Sequence, residues 1–517
     1  MKRICFVLIL PMLAFCGCSK IDELEKNAVR IDLGDDGIYV AGKPVETDAS
    51  NAVYVANDIV YYEAGKDFTY GEGTEKDAHS TEEADAHTVV HITEPGRYVL
   101  SGKLSLGQIA VDLGEDAETD PEAVVTLILK DVDITCEGAP AIIFYNVYEC
   151  CSSDEEKATK DIDTSKAGAN VIIADGTENN INGSYVEKIY KSYELNEEGT
   201  EVVDSKKLHK YDGAFYSKKT MNINGGNKGD GILNIKAENE GLDSELHLTI
   251  NGGIINITSG NDGINTNEDN VSVTTMNGGT INILCDGSMG EGDGIDSNGW
   301  LVINGGTVVA QACATSGDAG IDSDKGIYIN GGKVIATGNM LDHIAGGDQT
   351  YAVFNFASRQ AGKSTYMLKN SDGRIVGEYS PVNAFTCLII AGDEFVPGEY
   401  TFWQGTTQLT GSSMINMQGG MPQGERPERP QGEQNEKGTP PEVPDGMERP
   451  EPPSGERPQM PNGERPEMSE GMENMTPPDN MGGMMGDNMM PNGETSAIFT
   501  IVKGGNLFAN ICLYAKI

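Results

Sequence analysis

Apolar and polar residues alternate along most of this chain, in short runs broken by glycine. LTINGGIINI (248–257), TTMNGGTINI (274–283), LVINGGTVVA (301–310) and IYINGGKVIA (327–336) share one layout. Asn-Gly-Gly recurs with asparagines at 224, 251, 277, 304 and 330, at spacings of 27, 26, 27 and 26 residues. Before these asparagines stand Ile223, Ile250, Met276, Ile303 and Ile329. Four residues after the last four come Ile255, Ile281, Val308 and Val334; six after come Ile257, Ile283, Ala310 and Ala336. Apolar residues two apart on both sides of a glycine turn predict two strands, each with one face inward. Glycine supplies the positive φ that the corner needs, and asparagine tolerates such a corner or bonds its own backbone there.

Repetition at one fixed period means that the inward faces stack on themselves. The expectation is an all-β chain folded as a right-handed parallel β-helix. A leucine-rich horseshoe is excluded, since no segment is helical for long enough. HTVVHITEPGRYVLSGKL (87–104), AVVTLILKDVDITCEG (123–138) and NVIIADGTENNING (170–183) extend the strand–turn–strand pattern toward the N-terminus. STYMLKNSDGRIVGEYSP (364–381) and FTCLIIAGDEFVPGEYTFW (385–403) predict hairpins that cap the C-terminal end. Residues 418–494 hold 15 of the 22 prolines and 11 of the 20 methionines, and so cannot bury a core. The organisation expected is a signal segment at 1–18, a leader and cap at 19–86, the β-helix at 87–345 and a β cap at 346–417. A low-complexity disordered insertion at 418–494 and closing strands at 495–517 complete it.

The formal net charge of −43 sets the partners: such a surface repels nucleic acid and anionic membranes. MKRICFVLILPMLAFCGCSK opens with Lys2 and Arg3, runs apolar from Ile4 to Phe15, then reaches Gly17 and Cys18. That is an export signal, too short to span a bilayer. It resembles a lipoprotein signal in which Cys18 is lipidated, so membrane contact is expected through a lipid anchor only, with the protein at the cell surface. Seven further cysteines (136, 150, 151, 285, 313, 387 and 512) show neither a disulfide framework nor the spacing of a zinc site, and read as buried free thiols.

ITEPGRYVLSGKL, the ADGTENNI run at 174–181 and the Gly-Ile-Asp-Ser coils followed by Ile-Asn-Gly-Gly resemble a bacterial carbohydrate-binding domain family of pectin- and cellulose-binding β-helix proteins. The resemblance spans roughly residues 88–410 and 496–510, with departures at 145–168, 184–211 and the methionine- and proline-rich segment. It implies a pectate-lyase-like fold, bound calcium, and glycan binding without catalysis, on a pectin-like or cellulose-like polysaccharide.

Aligning the coils on the glycine turn places Glu240, Asp262, Asp293 and Asp318 in one column and Asp243, Asn265, Asp296 and Asp322 in a second. Coils about 4.8 Å apart put like charges where they repel by about 1 to 3 kcal/mol per pair. Ca²⁺, which takes six to eight oxygens from Asp, Asn and backbone carbonyls, would neutralise such columns through Asp243, Asp262, Asn265, Asp293, Asp296, Asp318 and Asp322. Alternatively these side chains cap their own turns. Trp300 and Tyr328 are the candidate sugar platforms, and Tyr185, Tyr190 and Tyr193 form a second aromatic group without strand periodicity. Two other readings stay open. One is a polysaccharide lyase or glycosidase with an atypical base, for which Lys325 is the candidate, since no arginine occurs between Arg97 and Arg359. The other is a β-helix adhesin or scaffold.

Overall fold

The inward residues named above all lose their contact with water. Ile223, Ile250, Met276, Ile303 and Ile329 are fully buried in a computed structural model of the chain, as are Ile255, Ile281, Val308 and Val334. The structure describes residues 25–57, 59, 86–186, 190–196, 198–207, 211–414 and 495–513. The expected signal segment with Cys18 and the 418–494 segment lie outside the described residues. All described residues fall in one compact unit, which residues 417–487 interrupt in sequence.

The chain is all-β with mixed sheets and carries two short 3₁₀ turns, Glu115–Thr119 and Glu155–Lys157. Among the described residues, no helix is long and apolar enough to cross a membrane. Three ladders of strands organise it. The first runs through Ala169–Ile173, Met221–Gly225, His247–Ile250, Val273–Met276, Trp300–Ile303 and Gly326–Ile329, every neighbour parallel. The second runs through Glu178–Gly183, Ile232–Ala237, Ile254–Ser259, Thr280–Cys285, Thr307–Gln311 and Lys333–Gly338, again parallel throughout. The third holds Thr88–Ile92, Gly107–Asp112, Ile142–Asn146, Gly213–Ser217, Glu240–Ser244, Ile264–Thr266 and Ile295–Ser297. Register follows the sequence repeat without slip in the first ladder: Ile223, Ile250, Met276, Ile303 and Ile329 are direct partners.

The second glycine of the motif makes the corner. Gly253, Gly279, Gly306 and Gly332 have φ between 81° and 94°, where side chains are strained. A Cβ at Gly306 would also lie 2.7 Å from Gly279 O, so two reasons act at once. The asparagines do something the sequence reading did not foresee. Their amides bond to each other and not to their own backbone. Asn251 Nδ2 donates to Asn224 Oδ1, Asn277 to Asn251, Asn304 to Asn277 and Asn330 to Asn304, at 2.8–2.9 Å. An amide carries a donor and an acceptor, so identical residues stacked one coil apart satisfy each other.

At the C-terminal end Tyr366–Asn370 and Ile375–Tyr379 form the expected antiparallel hairpin. The second expected hairpin does not form. Phe385–Ala391 pairs antiparallel with Lys333–Gly338 and with Tyr351–Gln360, whereas Gly398–Gln404 joins Tyr366–Asn370 and Phe499–Ile501. The reason is in the run FTCLIIA, apolar on both faces. Cys387, Ile389 and Ala391 enter the main core, while Phe385, Leu388 and Ile390 enter an aromatic core with Phe354, Phe402 and Phe499. Such a strand has to lie between two layers.

Replacing Ile303 by Asp places an unpaired carboxylate in this stack, at a cost of several kcal/mol. The expected result is loss of the cooperative thermal transition by circular dichroism; a normal melting curve for that variant would overturn the inward register.

Candidate functional site

The acidic corner is built by short strands that follow Gly-Asp-Gly or Asp-Gly turns. Glycine lets the backbone of one coil lie against the next: a Cβ on Gly263 would sit 2.6 Å from Gly294 O. The third ladder then sets Asp243, Asn265 and Asp296 as direct partners. Asp322 continues them, its N–H donating to Ile295 O at 2.7 Å. The second column is therefore a physical one. Within it, Asn265 Nδ2 donates to Glu240 Oε1 at 3.1 Å, and Asn267 donates to Asp243.

The first column departs from the sequence alignment in its last member. Gly263 N–H donates to Asp293 O, and Gly294 N–H donates to Ala319 O, so Ala319 is the coil equivalent of Asp293. Gly-Asp-Ala-Gly carries one residue more than Gly-Asp-Gly, which shifts Asp318 out of the column. Its carboxylate instead accepts the Gly292 N–H at 2.6 Å and the Ser316 hydroxyl. Turn capping of this kind recurs: Asp293 N–H donates to Asp262 Oδ1 at 2.7 Å, and Ala319 N–H donates to Asp293 Oδ1 at 2.5 Å.

Capping does not neutralise the charge. Burial holds the Asp262 carboxyl well above its ordinary value of 3.8, and Glu240, Asp296 and Asp318 add to the shift. Asp293 is raised by burial and then by Asp262, Asp322 and Asp296. Asn265 is buried, and its Oδ1 finds no hydrogen-bond donor. Hard oxygens, a spare amide acceptor and excess negative charge suit a hard cation in donor chemistry. The oxygens are nevertheless strung along the stack. Among the described residues, no three column carboxylates bring ligand atoms within 4.8 Å of one another; Glu149, Cys150 and Cys151 do.

Trp300 and Tyr328 both lie on the outer face of the first ladder, offset as the sequence indicates: Val302 faces Tyr328, and Trp300 faces Gly326. Each ring sits under a lysine. Lys325 Nζ is 5.3 Å from the Trp300 ring centre, and Lys160 Nζ is 5.1 Å from that of Tyr328. Lys325 also lies 4.0 Å from Glu155. The 147–168 insert thus lies over this face, tied down where Asn222 Nδ2 donates to Thr164 O at 2.7 Å. Tyr190 and Tyr193 belong to an antiparallel hairpin, Tyr190–Leu195 with Val202–Lys207, so that segment has a strand period after all.

A second amide ladder was missed. On the outer face of the second ladder, Asn234 donates to Asn180, Asn256 to Asn234 and Asn282 to Asn256, each at 2.9 Å. With Lys236 and Thr258, Asn180, Asn234 and Asn256 line a shallow cleft of about 260 Å³. The signal was present in sequence: Leu-Asn-Ile at 233, Ile-Asn-Ile at 255 and Ile-Asn-Ile at 281 put one asparagine outward in each coil. Asn256 uses one amide hydrogen and one lone pair within the ladder, which leaves one of each for a ligand hydroxyl.

Because the folded-state carboxyl values of Asp262 and Asp293 are raised, the stability they permit is full below about 4 and is lost as pH climbs toward their folded values. In chelator, the melting temperature is expected to fall across that rise. Asp262→Asn, which keeps the acceptor for Asp293 N–H, flattens the dependence. An unchanged slope in that variant would show that the column carboxylates are not its source.

A polysaccharide lyase-like protein from C. thermocellum, solved as a gadolinium derivative, is similar to this chain at 19% identity. The match covers 62% of this chain and 99% of that one, with a TM-score of 0.34, a level at which the likeness bears no functional argument. A search of curated proteins found no match. Residues 86–392 match the sequence profile described as carbohydrate-binding domain-containing protein, and this span holds all three ladders with their acidic corner and amide cleft: the chain belongs to that carbohydrate-binding domain family.

Proposed function

We propose that this protein is a non-catalytic, surface-exposed polysaccharide-binding protein, built as a right-handed parallel β-helix and lipidated at Cys18. Its ligand in this reading is a plant-type glycan, pectin-like or cellulose-like. The observation that carries the binding function is the amide ladder of Asn180, Asn234, Asn256 and Asn282 beside Lys236, an open groove of repeated donors and acceptors on one face. Hydroxyl-rich chains are bound by such pairs of donors and acceptors. The lysine that a lyase would need as a base is held over Trp300 beside Glu155, an arrangement that favours binding over proton abstraction.

Calcium belongs to the same proposal. Asp243, Asp262, Asn265, Asp293, Asp296 and Asp322 would share it between coils, with Asp318 at the edge, and the ion would supply charge neutralisation to a chain of net charge −43. Neutralised columns also let an anionic glycan approach.

Retention on insoluble cellulose and affinity electrophoresis in pectin test the binding function. Asn256→Leu removes the two open amide positions and is expected to weaken retention about tenfold, the equivalent of roughly one to two hydrogen bonds. Unchanged retention would move the glycan off this face, and release of unsaturated products from polygalacturonate would replace binding by lyase activity. For calcium, the ion should raise stability by about 2.7 kcal/mol at a hundredfold excess over Kd. Asp293→Asn with Asp296→Asn should blunt that gain. Glycan retention that survives full chelation would sink the calcium bridge and leave the amide groove standing.

A further inference from the structure

Glu149, Cys150 and Cys151 lie in the 147–168 insert, outside both the acidic columns and the amide groove residues. The insert is fixed at several points. Tyr148 N–H donates to Ala123 O, Gly168 N–H donates to Tyr148 O, and Thr164 Oγ1 donates to Thr249 Oγ1 at 2.9 Å. Glu149 is held rigidly: Oε1 accepts the Cys151 N–H and the Thr220 hydroxyl, and Oε2 accepts the Thr220 N–H, all at 2.8 Å. The two sulfurs point to the same side, 3.5 Å apart, and both are half-buried.

Three distances decide what such a pair is for. A disulfide needs sulfurs about 2.05 Å apart on Cα atoms separated by about 4.4 Å or more. Adjacent residues on a trans peptide hold their Cα atoms only about 3.8 Å apart, so a bond between these two would be strained and easily reduced. Two thiolates on a tetrahedral zinc, with bonds of about 2.3 Å, lie about 3.8 Å apart. The observed 3.5 Å is close to that span. A carboxylate oxygen of Glu149 and both sulfurs already fall within 4.8 Å of one another.

His247 completes the surroundings. It is buried in the first ladder, and its Nδ1 accepts the Val273 N–H at 3.0 Å. The ring therefore carries its proton on Nε2, the side that interacts with Cys151. An imidazole that is a donor on this side cannot also be a ligand there, so His247 is a positioning residue. Hydrogen-bond support of this kind around a metal site is worth about 10- to 100-fold in metal affinity.

We propose that Glu149, Cys150 and Cys151 form a site for a soft divalent cation of the zinc and cadmium class, bound by two sulfurs and one carboxylate oxygen with a fourth position open to solvent. The site takes thiophilic ions, which the oxygen-only acidic corner does not select. The two kinds of site are thereby separable within one molecule.

The test uses cadmium alone as the probe, added to the reduced full chain in excess calcium. One equivalent is expected to develop the ultraviolet sulfur-to-cadmium charge-transfer band, and zinc is expected to displace it. The double variant Cys150→Ser with Cys151→Ser should lose the band. A band of undiminished strength in that variant, or none in the wild-type chain, would overturn the site. The cadmium NMR shift of the wild-type complex gives a reading that depends on no variant: two-sulfur ligation supports the site, and an oxygen-only shift removes it. His247→Phe should weaken cadmium about tenfold, and His247→Gln, which keeps an N–H donor, should restore it. If Phe and Gln weaken it equally, the hydrogen bond to Cys151 is not what positions the thiolate.

Discussion

Everything in this fold depends on the close stacking of one coil on the next at the glycine corners. Gly306 approaches Gly279 so nearly that a single added methyl would meet a carbonyl oxygen, and the same holds at Gly332 and Gly279 against their predecessors. With corners locked, the ladders keep one register, and each side chain faces its counterpart from the neighbouring coil. Isoleucine on isoleucine then excludes water at each of these positions.

Stacking like on like has different consequences for different polar groups. An asparagine amide complements its own copy, and two ladders of them run along the outside of this protein. A carboxylate repels its own copy. The third ladder deals with that by interposing Asn265 between Asp243 and Asp296, and by aiming Asp262 and Asp293 at backbone N–H groups of the following coil. Burial first, and then the repulsion that remains, raise the carboxyl groups of Asp262 and Asp293. The same geometry that gives a regular groove of amides on one face thus concentrates charge on another.

The inserts modify this regular body locally. Residues 147–168 lie across the outer face of the first ladder, where lysines cover Trp300 and Tyr328 and Glu155 pairs with Lys325. The exposed aromatic platform that the sequence pattern offers is thereby turned into a covered one, and the open polar surface lies one face further round.

The sequence by itself determined the strands, the inward residues, the corners and most of the acidic columns, because a repeat of 26 to 27 residues is a local property and its stacking follows from it. Leu-Asn-Ile and Ile-Asn-Ile also carried the second amide ladder, legible once the ladder of Asn-Gly-Gly asparagines is understood. Only the tertiary structure decided three things. It moved Asp318 out of its column, because one extra residue in a turn is absorbed by backbone hydrogen bonds that spacing alone does not specify. It split FTCLIIA from its supposed hairpin partner, since a strand apolar on both faces goes where two cores meet. And it brought His247 to Cys151, because their meeting depends on where an irregular insert folds over a regular stack, and irregular loops have no period to read.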